Sequence, residues 1–165
     1  MATALDEIDV RLLKELERDA DRPNVELARI VGLSPAATLN RVRRLKESGV
    51  IRRIAARLDS SAAGFNLQVY VMVTLARHDE RAERRFNEEV LASENIILAD
   101  TVAGETDALL LIVARDVADL SRVLSRLSTR GGAQRLITLL RLAELKPASP
   151  LPLQATTSVH SRRGS

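Results

Sequence analysis

The run Asn24-Val25-Glu26-Leu27-Ala28-Arg29-Ile30-Val31-Gly32-Leu33-Ser34-Pro35-Ala36-Ala37-Thr38-Leu39-Asn40-Arg41-Val42-Arg43-Arg44-Leu45-Lys46-Glu47-Ser48-Gly49 holds two short amphipathic patterns on either side of a glycine. In the first, Leu27, Ala28 and Val31 share one helical face, and Asn24 is placed to cap its start. Gly32 ends it, since glycine accepts the positive backbone angle of a tight turn without steric cost. Leu33-Ser34-Pro35 then supplies an apolar anchor, an N-cap hydroxyl and a proline for the first helical position, so a second helix starts at once. It runs to about Ser48, buries Thr38, Val42 and Leu45, and stops at Gly49. Small Ala28 lets the two helices cross closely. Two short helices with a glycine turn, the second strongly basic, form a helix-turn-helix. An ordinary helical hairpin shares the spacing but has no reason for the basic second helix.

Upstream, Ile8, Leu12, Leu13 and Leu16 make one apolar stripe and predict a helix over 6–18, capped by Asp6. Charge is sorted along this part of the chain. Between Asp6 and Glu26 eight acids face four bases, whereas between Arg41 and Arg57 seven bases face only Glu47. The second stretch is the footprint of a phosphate-contacting surface, or else a solvated basic face. The net charge of +3 hides this division. Val50, Ile51 and Ile54 predict a short strand over 50–58, and the turn-rich 59–64 predicts a boundary between domains.

After Gly64 the pattern changes. Alternation of Val69, Val71 and Val73 with Tyr70, Met72 and Thr74 predicts a strand over 67–76. A helix over 79–91 buries Ala82, Phe86 and Val90. Two β-rich runs, 96–103 and 108–115, flank Gly104-Glu105-Thr106-Asp107, as in a hairpin. A helix over 116–130 carries Val117, Leu120, Val123, Leu124 and Leu127, and a leucine-rich strand spans 134–145. Strand, helix, strand, strand, helix, strand is the order of a ferredoxin-like βαββαβ sandwich, with both helices on one face of an antiparallel sheet. The other face also carries apolar side chains, and pairing of two copies through it is the economical cover. The fold class is therefore α+β, an N-terminal winged-type helix-turn-helix domain over 1–52 and a C-terminal ferredoxin-like sandwich over 67–146. A linker of 53–66 joins them, and 147–165, rich in Pro, Ser and Thr, reads as a loose tail.

Composition narrows the function. The 165 residues are 45% apolar and 28% charged, as suits a folded globular chain. With no cysteine, disulfides, thiolate catalysis and cysteine-ligated metals are excluded. Only His78 and His160 offer an imidazole, and neither lies in a paired-histidine or nucleophile-elbow motif. No catalytic residue, metal ligand or cofactor motif stands out. The longest apolar run, 108–114, falls well short of the about 20 residues that cross a bilayer. The N-terminus has no signal-like core, which leads us to expect a cytoplasmic, nucleoid-associated protein. Phe65, Tyr70 and Phe86 are the only aromatics, too few for stacking on single strands, so double-stranded DNA is the expected nucleic acid.

With these motifs in order, the chain resembles the leucine-responsive and asparagine-regulator (Lrp/AsnC, feast/famine) family of transcriptional regulators over about residues 5–146. The resemblance rests on Leu5-Asp6-Glu7-Ile8-Asp9, Leu27-Ala28-Arg29-Ile30-Val31-Gly32-Leu33-Ser34, Arg41-Val42-Arg43-Arg44-Leu45-Lys46 and Gly49-Val50-Ile51. In the second half it rests on Thr101-Val102-Ala103-Gly104-Glu105-Thr106-Asp107-Ala108-Leu109-Leu110 and on Lys146 eight residues after Thr138. Thr38, Ala108 and Leu136 depart from residues usual in the family. The resemblance implies a non-enzymatic regulator whose second half, a regulation of amino acid metabolism domain, binds a small effector, an amino acid above all. It also implies a homodimer that assembles to a tetramer or octamer.

In such a protein the second helix of the motif enters the major groove. Its face opposite Thr38, Val42 and Leu45 presents Ala36, Leu39, Asn40 and Arg43. Asn40 suits adenine, Arg43 guanine, and Leu39 and Ala36 thymine methyls. Ser34, Arg44, Lys46, Arg52 and Arg53 suit phosphates. Arg41 has two open readings, a phosphate contact or a salt bridge within the domain. For the effector, the resemblance assigns Gly104, Glu105, Thr106 and Asp107 to a loop whose amides hold an α-carboxylate and whose acids, Asp107 or Glu105, pair the α-ammonium, with Thr101 and Thr138 lining the pocket. A glycine required by turn geometry beside a capping aspartate is the plainer reading of the same loop. Two other functions share this architecture: a siroheme decarboxylase, which needs histidine help, and a DNA-compacting protein with no effector.

Overall fold

Asp6, Asp9 and an apolar stripe together make the first helix. In the computed structural model, which describes residues 3–75 and 80–156, α1 spans Glu7–Arg18. The Asp6 carboxylate accepts from the Asp9 amide at 2.7 Å and the Asp9 carboxylate accepts from the Asp6 amide at 3.3 Å, a reciprocal capping box. Helix α2, Asn24–Val31, buries Leu27, Ala28 and Val31 and ends at Gly32, whose φ of 76° is the left-handed conformation expected. Asn24 does not cap it. The cap position is Pro23, with no side-chain bond, and the Asn24 amide donates instead to the Pro35 carbonyl at 2.9 Å, tying α2 to the start of the next helix. That helix, α3, spans Pro35–Glu47 behind the Ser34 cap. Leu12, Leu13, Leu27, Val31 and Leu45 form the core of the three helices.

The strand expected over 50–58 is not formed. Val50 and Ile51 fold back onto the helical core and the Ile51 amide donates to the Leu45 carbonyl, so the apolar residues are used before any alternation can develop. Arg52 and Arg53 are left exposed.

Strands β1 (Leu67–Leu75), β2 (Ile96–Thr101), β3 (Ala108–Ala114) and β4 (Ala133–Leu140) form one antiparallel sheet in the order β2-β3-β1-β4. Helices α4 (Glu80–Ala92) and α5 (Val117–Thr129) supply Phe86, Val123 and Leu127 to a core with Val69, Val71, Val73, Leu110 and Ile112. This is the split βαβ arrangement, its two apolar strands β1 and β3 central. Asp116 caps α5 by accepting from the Asp119 amide at 2.7 Å. Val117, expected in the buried stripe, is 73% exposed at the first position of that helix. Strand β4 ends five residues before the expected 145. Its last partner on β1 is Val69, opposite Leu140, after which the Arg141 amide reaches the Gln68 carbonyl and the Arg141 guanidinium donates to the Gln68 side-chain oxygen. Beyond that point Arg141 and Arg57 converge on Glu144 at 3.0 and 2.8 Å. Ala76 and Asp79, at the expected ends of β1 and α4, lie outside the described residues, as do His78 and His160.

The chain divides into two compact units, Met1–Ala56 with Lys146–Ser165, and Arg57–Leu145. Residues 151–156, expected in a loose tail, belong with the helical unit and bond to α1. No described helix is long and apolar enough to cross a membrane.

Candidate nucleic-acid and ligand sites

Helix α3 presents its outward face as the pattern of Thr38, Val42 and Leu45 dictates: those three turn inward, while Ala36, Leu39, Asn40, Arg43 and Lys46 are exposed. Arg43, Lys46, Arg52 and Arg53 make no ion pair among the described residues, so their charge is free for an outside partner. Ser34 Oγ accepts from the Ala37 amide at 3.2 Å, which leaves its hydroxyl proton to donate.

Arg41 and Arg44 behave differently. Asp9, 1% exposed, directs one carboxylate oxygen to Arg41 at 2.8 Å and the other to Arg44 at 2.5 Å. Arg41 also reaches Asp6 at 2.6 Å. Of the two readings of Arg41, the bridge within the domain is formed, and Arg44 shares that anchor while its side chain stays 54% exposed. A buried carboxylate left unpaired is costly, so Asp9 fixes the rotation of α3 against α1. Burial alone would push the Asp6 carboxyl up, but the Asp9 amide and the Arg41 guanidinium outweigh it and hold the group below the ordinary carboxylate value. Arg41 is pushed up in turn, first by its hydrogen bond to Asp6. The apolar and capping pattern of the sequence points to Asp6 as a cap but not to Asp9 as an anchor. The available signal was the spacing Asp6-x-x-Asp9, a capping box with an acid at its third helical position.

In the other unit Gly104 has φ of +144°, a backbone conformation that L side chains rarely adopt, with open space where a Cβ would stand. Asp107 is held three ways: its amide donates to Val73 O at 2.9 Å, its carbonyl accepts from the Val102 amide at 3.1 Å, and its Oδ2 accepts from the Leu75 amide at 2.7 Å. The capping role is therefore real, and it fixes the 102–107 loop to the end of β1. Glu105 is exposed and Thr106 half-buried beside it. Thr101 and Thr138 are not brought together. They stand on β2 and β4, the two outer strands, three strand spacings of ~4.8 Å from each other across the sheet and two residues out of register.

Residues 5–46 match the model of the AsnC-type helix-turn-helix domain, and residues 68–151 match that of the Lrp/AsnC ligand binding domain. The chain belongs to the Lrp/AsnC family. Among its relatives are a leucine-responsive regulatory protein of Rhizobium meliloti, 36% identical over 87% of this chain and 93% of its own length, and the regulator AldR of Mycolicibacterium smegmatis, 36% identical over 91% and 88%. A transcriptional regulator of Neisseria meningitidis, solved as its L-methionine complex, superposes with a TM-score of 0.83 at 31% identity, covering 90% of this chain and 96% of that one. A feast or famine regulatory protein of Mycobacterium tuberculosis, also complexed with L-methionine, gives 0.78 at 31% over 87% and 96%. This Lrp/AsnC chain is thus a transcriptional regulator with a DNA-binding and a ligand-binding unit.

Proposed function

We propose that this regulator binds specific sites on double-stranded DNA as a homo-oligomer, and that an amino acid held at the 104–107 loop changes its assembly and its DNA affinity. The observation that carries the reading is the division of labour on α3. Arg41 and Arg44 are anchored by Asp9, while Asn40 and Arg43, like Lys46, Arg52 and Arg53, are exposed, and none of these cations has an ion-pair partner among the described residues. Ala36, Leu39, Asn40 and Arg43 read base edges; Ser34, Lys46, Arg52 and Arg53 take phosphates, with the free edge of Arg44.

In the ligand unit, amides around Gly104, Glu105 and Thr106 hold an α-carboxylate and Glu105, the acid not committed to a backbone amide, pairs the α-ammonium. A pocket that uses both Thr101 and Thr138 draws them from two chains, which makes occupancy and assembly one equilibrium. The sheet face opposite the helices supports a homodimer, with dimers joining to a tetramer or octamer near the loop. Binding to chromosomal DNA places the protein in the cytoplasm with the nucleoid.

Retention of genomic fragments on the purified protein, with and without the mixed standard amino acids, tests this. We expect enriched pseudo-palindromic sites that shift with the mixture. Enrichment without a shift would assign a DNA-compacting role instead, and no enrichment would remove the DNA reading.

A further inference from the structure

Residues 146–156, Lys146-Pro147-Ala148-Ser149-Pro150-Leu151-Pro152-Leu153-Gln154-Ala155-Thr156, place three prolines where a helix is impossible and an extended path is preset. The Leu153 amide donates to the Leu151 carbonyl at 2.8 Å, closing a three-residue turn with Pro152 at its centre, the position whose φ proline already satisfies. From this turn the backbone follows α1. The Leu151 amide donates to Glu17 Oε1 at 3.1 Å at one end. At the other, the Thr156 amide donates to the Leu5 carbonyl at 2.8 Å and the Leu5 amide donates to Thr156 Oγ1 at 3.4 Å. Between them Leu153 packs on the core of the helical unit. The lengths agree: α1, with 12 residues, is about 18 Å long at 1.5 Å per residue, and five extended steps cover about 16 Å.

We propose that residues 151–156 form a strap docked on α1, and that the strap sets how firmly α3 holds its arginines. The contact ends at Leu5, the residue before Asp6. Asp6 caps α1 and accepts from Arg41, and Asp9, its partner in the capping box, takes Arg41 and Arg44. The strap is thus bonded to the first link of the chain of contacts that orients α3. The polypeptide runs on from β4 of the ligand-binding unit, so the strap is a second covalent tether into the DNA-binding unit besides the connection at Ala56–Arg57. Its anchor Leu153 is only half-buried, and contacts of that kind open at little cost, as a controllable tether requires. The effect on DNA rests on the function proposed above; the docking itself does not.

Amide hydrogen exchange of the full chain tests both parts, using Leu153→Asp, Thr156→Pro, which lacks the N–H given to Leu5, and the conservative Leu153→Met. We expect exchange over 5–18 and 35–47 to rise about fivefold in the first two variants and to return in Leu153→Met, with the strands unaffected. DNA retention should weaken about threefold or more in the same two. Unchanged exchange over 5–18 would overturn the strap. Raised exchange with DNA affinity equal to that of the parent would overturn its link to α3. If the parent binds no DNA, the functional reading fails while exchange still decides the docking.

Discussion

Asn40 and Lys46 lie less than two turns apart on α3, both exposed, yet the roles proposed for them put different demands on DNA. An amide can pair two atoms of one base edge, whereas an ammonium meets a phosphate whatever the sequence. Asn40→Ala should therefore relax preference at one base position, a discrimination of about 1–3 kcal/mol, in a binding-site selection. Lys46→Ala should weaken all sequences alike and lower the salt slope by about one unit in a titration of affinity against salt. Equal effects of both on specific and random DNA would put α3 outside the groove. Arg44 is a poorer probe because its loss also strips a charge from Asp9. Asp9→Ala should lower the stability of the helical unit by about 1–3 kcal/mol, reduced from the fully buried case because Arg41 and Arg44 reach solvent. Chemical denaturation followed in that unit reads it. For Asp6 the native value is depressed, so its contribution is complete above the ordinary carboxylate value of about 4 and is lost as pH falls through the native one. Asp6→Asn should accordingly lower thermal stability at neutral pH and cost progressively less below pH of about 4. The α3 face was legible from apolar spacing alone. Asp9 was not, because a buried acid is recognised by its partners, and these stand more than thirty residues away.

At the scale of elements, legibility follows the source of each instruction. The helices were read closely because caps and breakers, such as Ser34-Pro35, Gly32 and Asp116, are local. Strand ends were not, because a strand stops where its neighbour does: β4 carries leucines to 145 but loses its partner at Leu67–Val69, and 50–58 has apolar residues that the helical core takes first. The loop of 102–107 combines both kinds of instruction. Its glycine is required by φ of +144° and its aspartate by the amide of Leu75. Gly104→Val places a β-branched side chain in that conformation, a strain of about 1–3 kcal/mol, and should move the backbone amides off the proposed ligand position. We expect calorimetry to show loss of amino-acid binding, while DNA affinity without amino acid stays that of the parent.

For the whole molecule, the sheet face away from α4 and α5 is the surface on which the proposed pairing rests. Tyr70, Met72, Leu109, Leu111 and Ile137 lie half-exposed across its three adjoining strands, with Leu98 and Leu139 exposed at the edges. A patch of this kind is covered by a second copy far more cheaply than by water. Leu111→Asp, at the centre of β3, should shift the mass measured by light scattering to that of one chain, with circular dichroism unchanged; an unaltered mass would remove this face from the interface. A patch that packs on itself does so about a two-fold axis, and such a contact is satisfied once two chains have met. Growth beyond the pair must then recruit other surfaces, and each addition brings two chains. Every closed particle built this way therefore has an even number of subunits, in rings or dihedral clusters, and odd-numbered species should be missing from its mass spectrum.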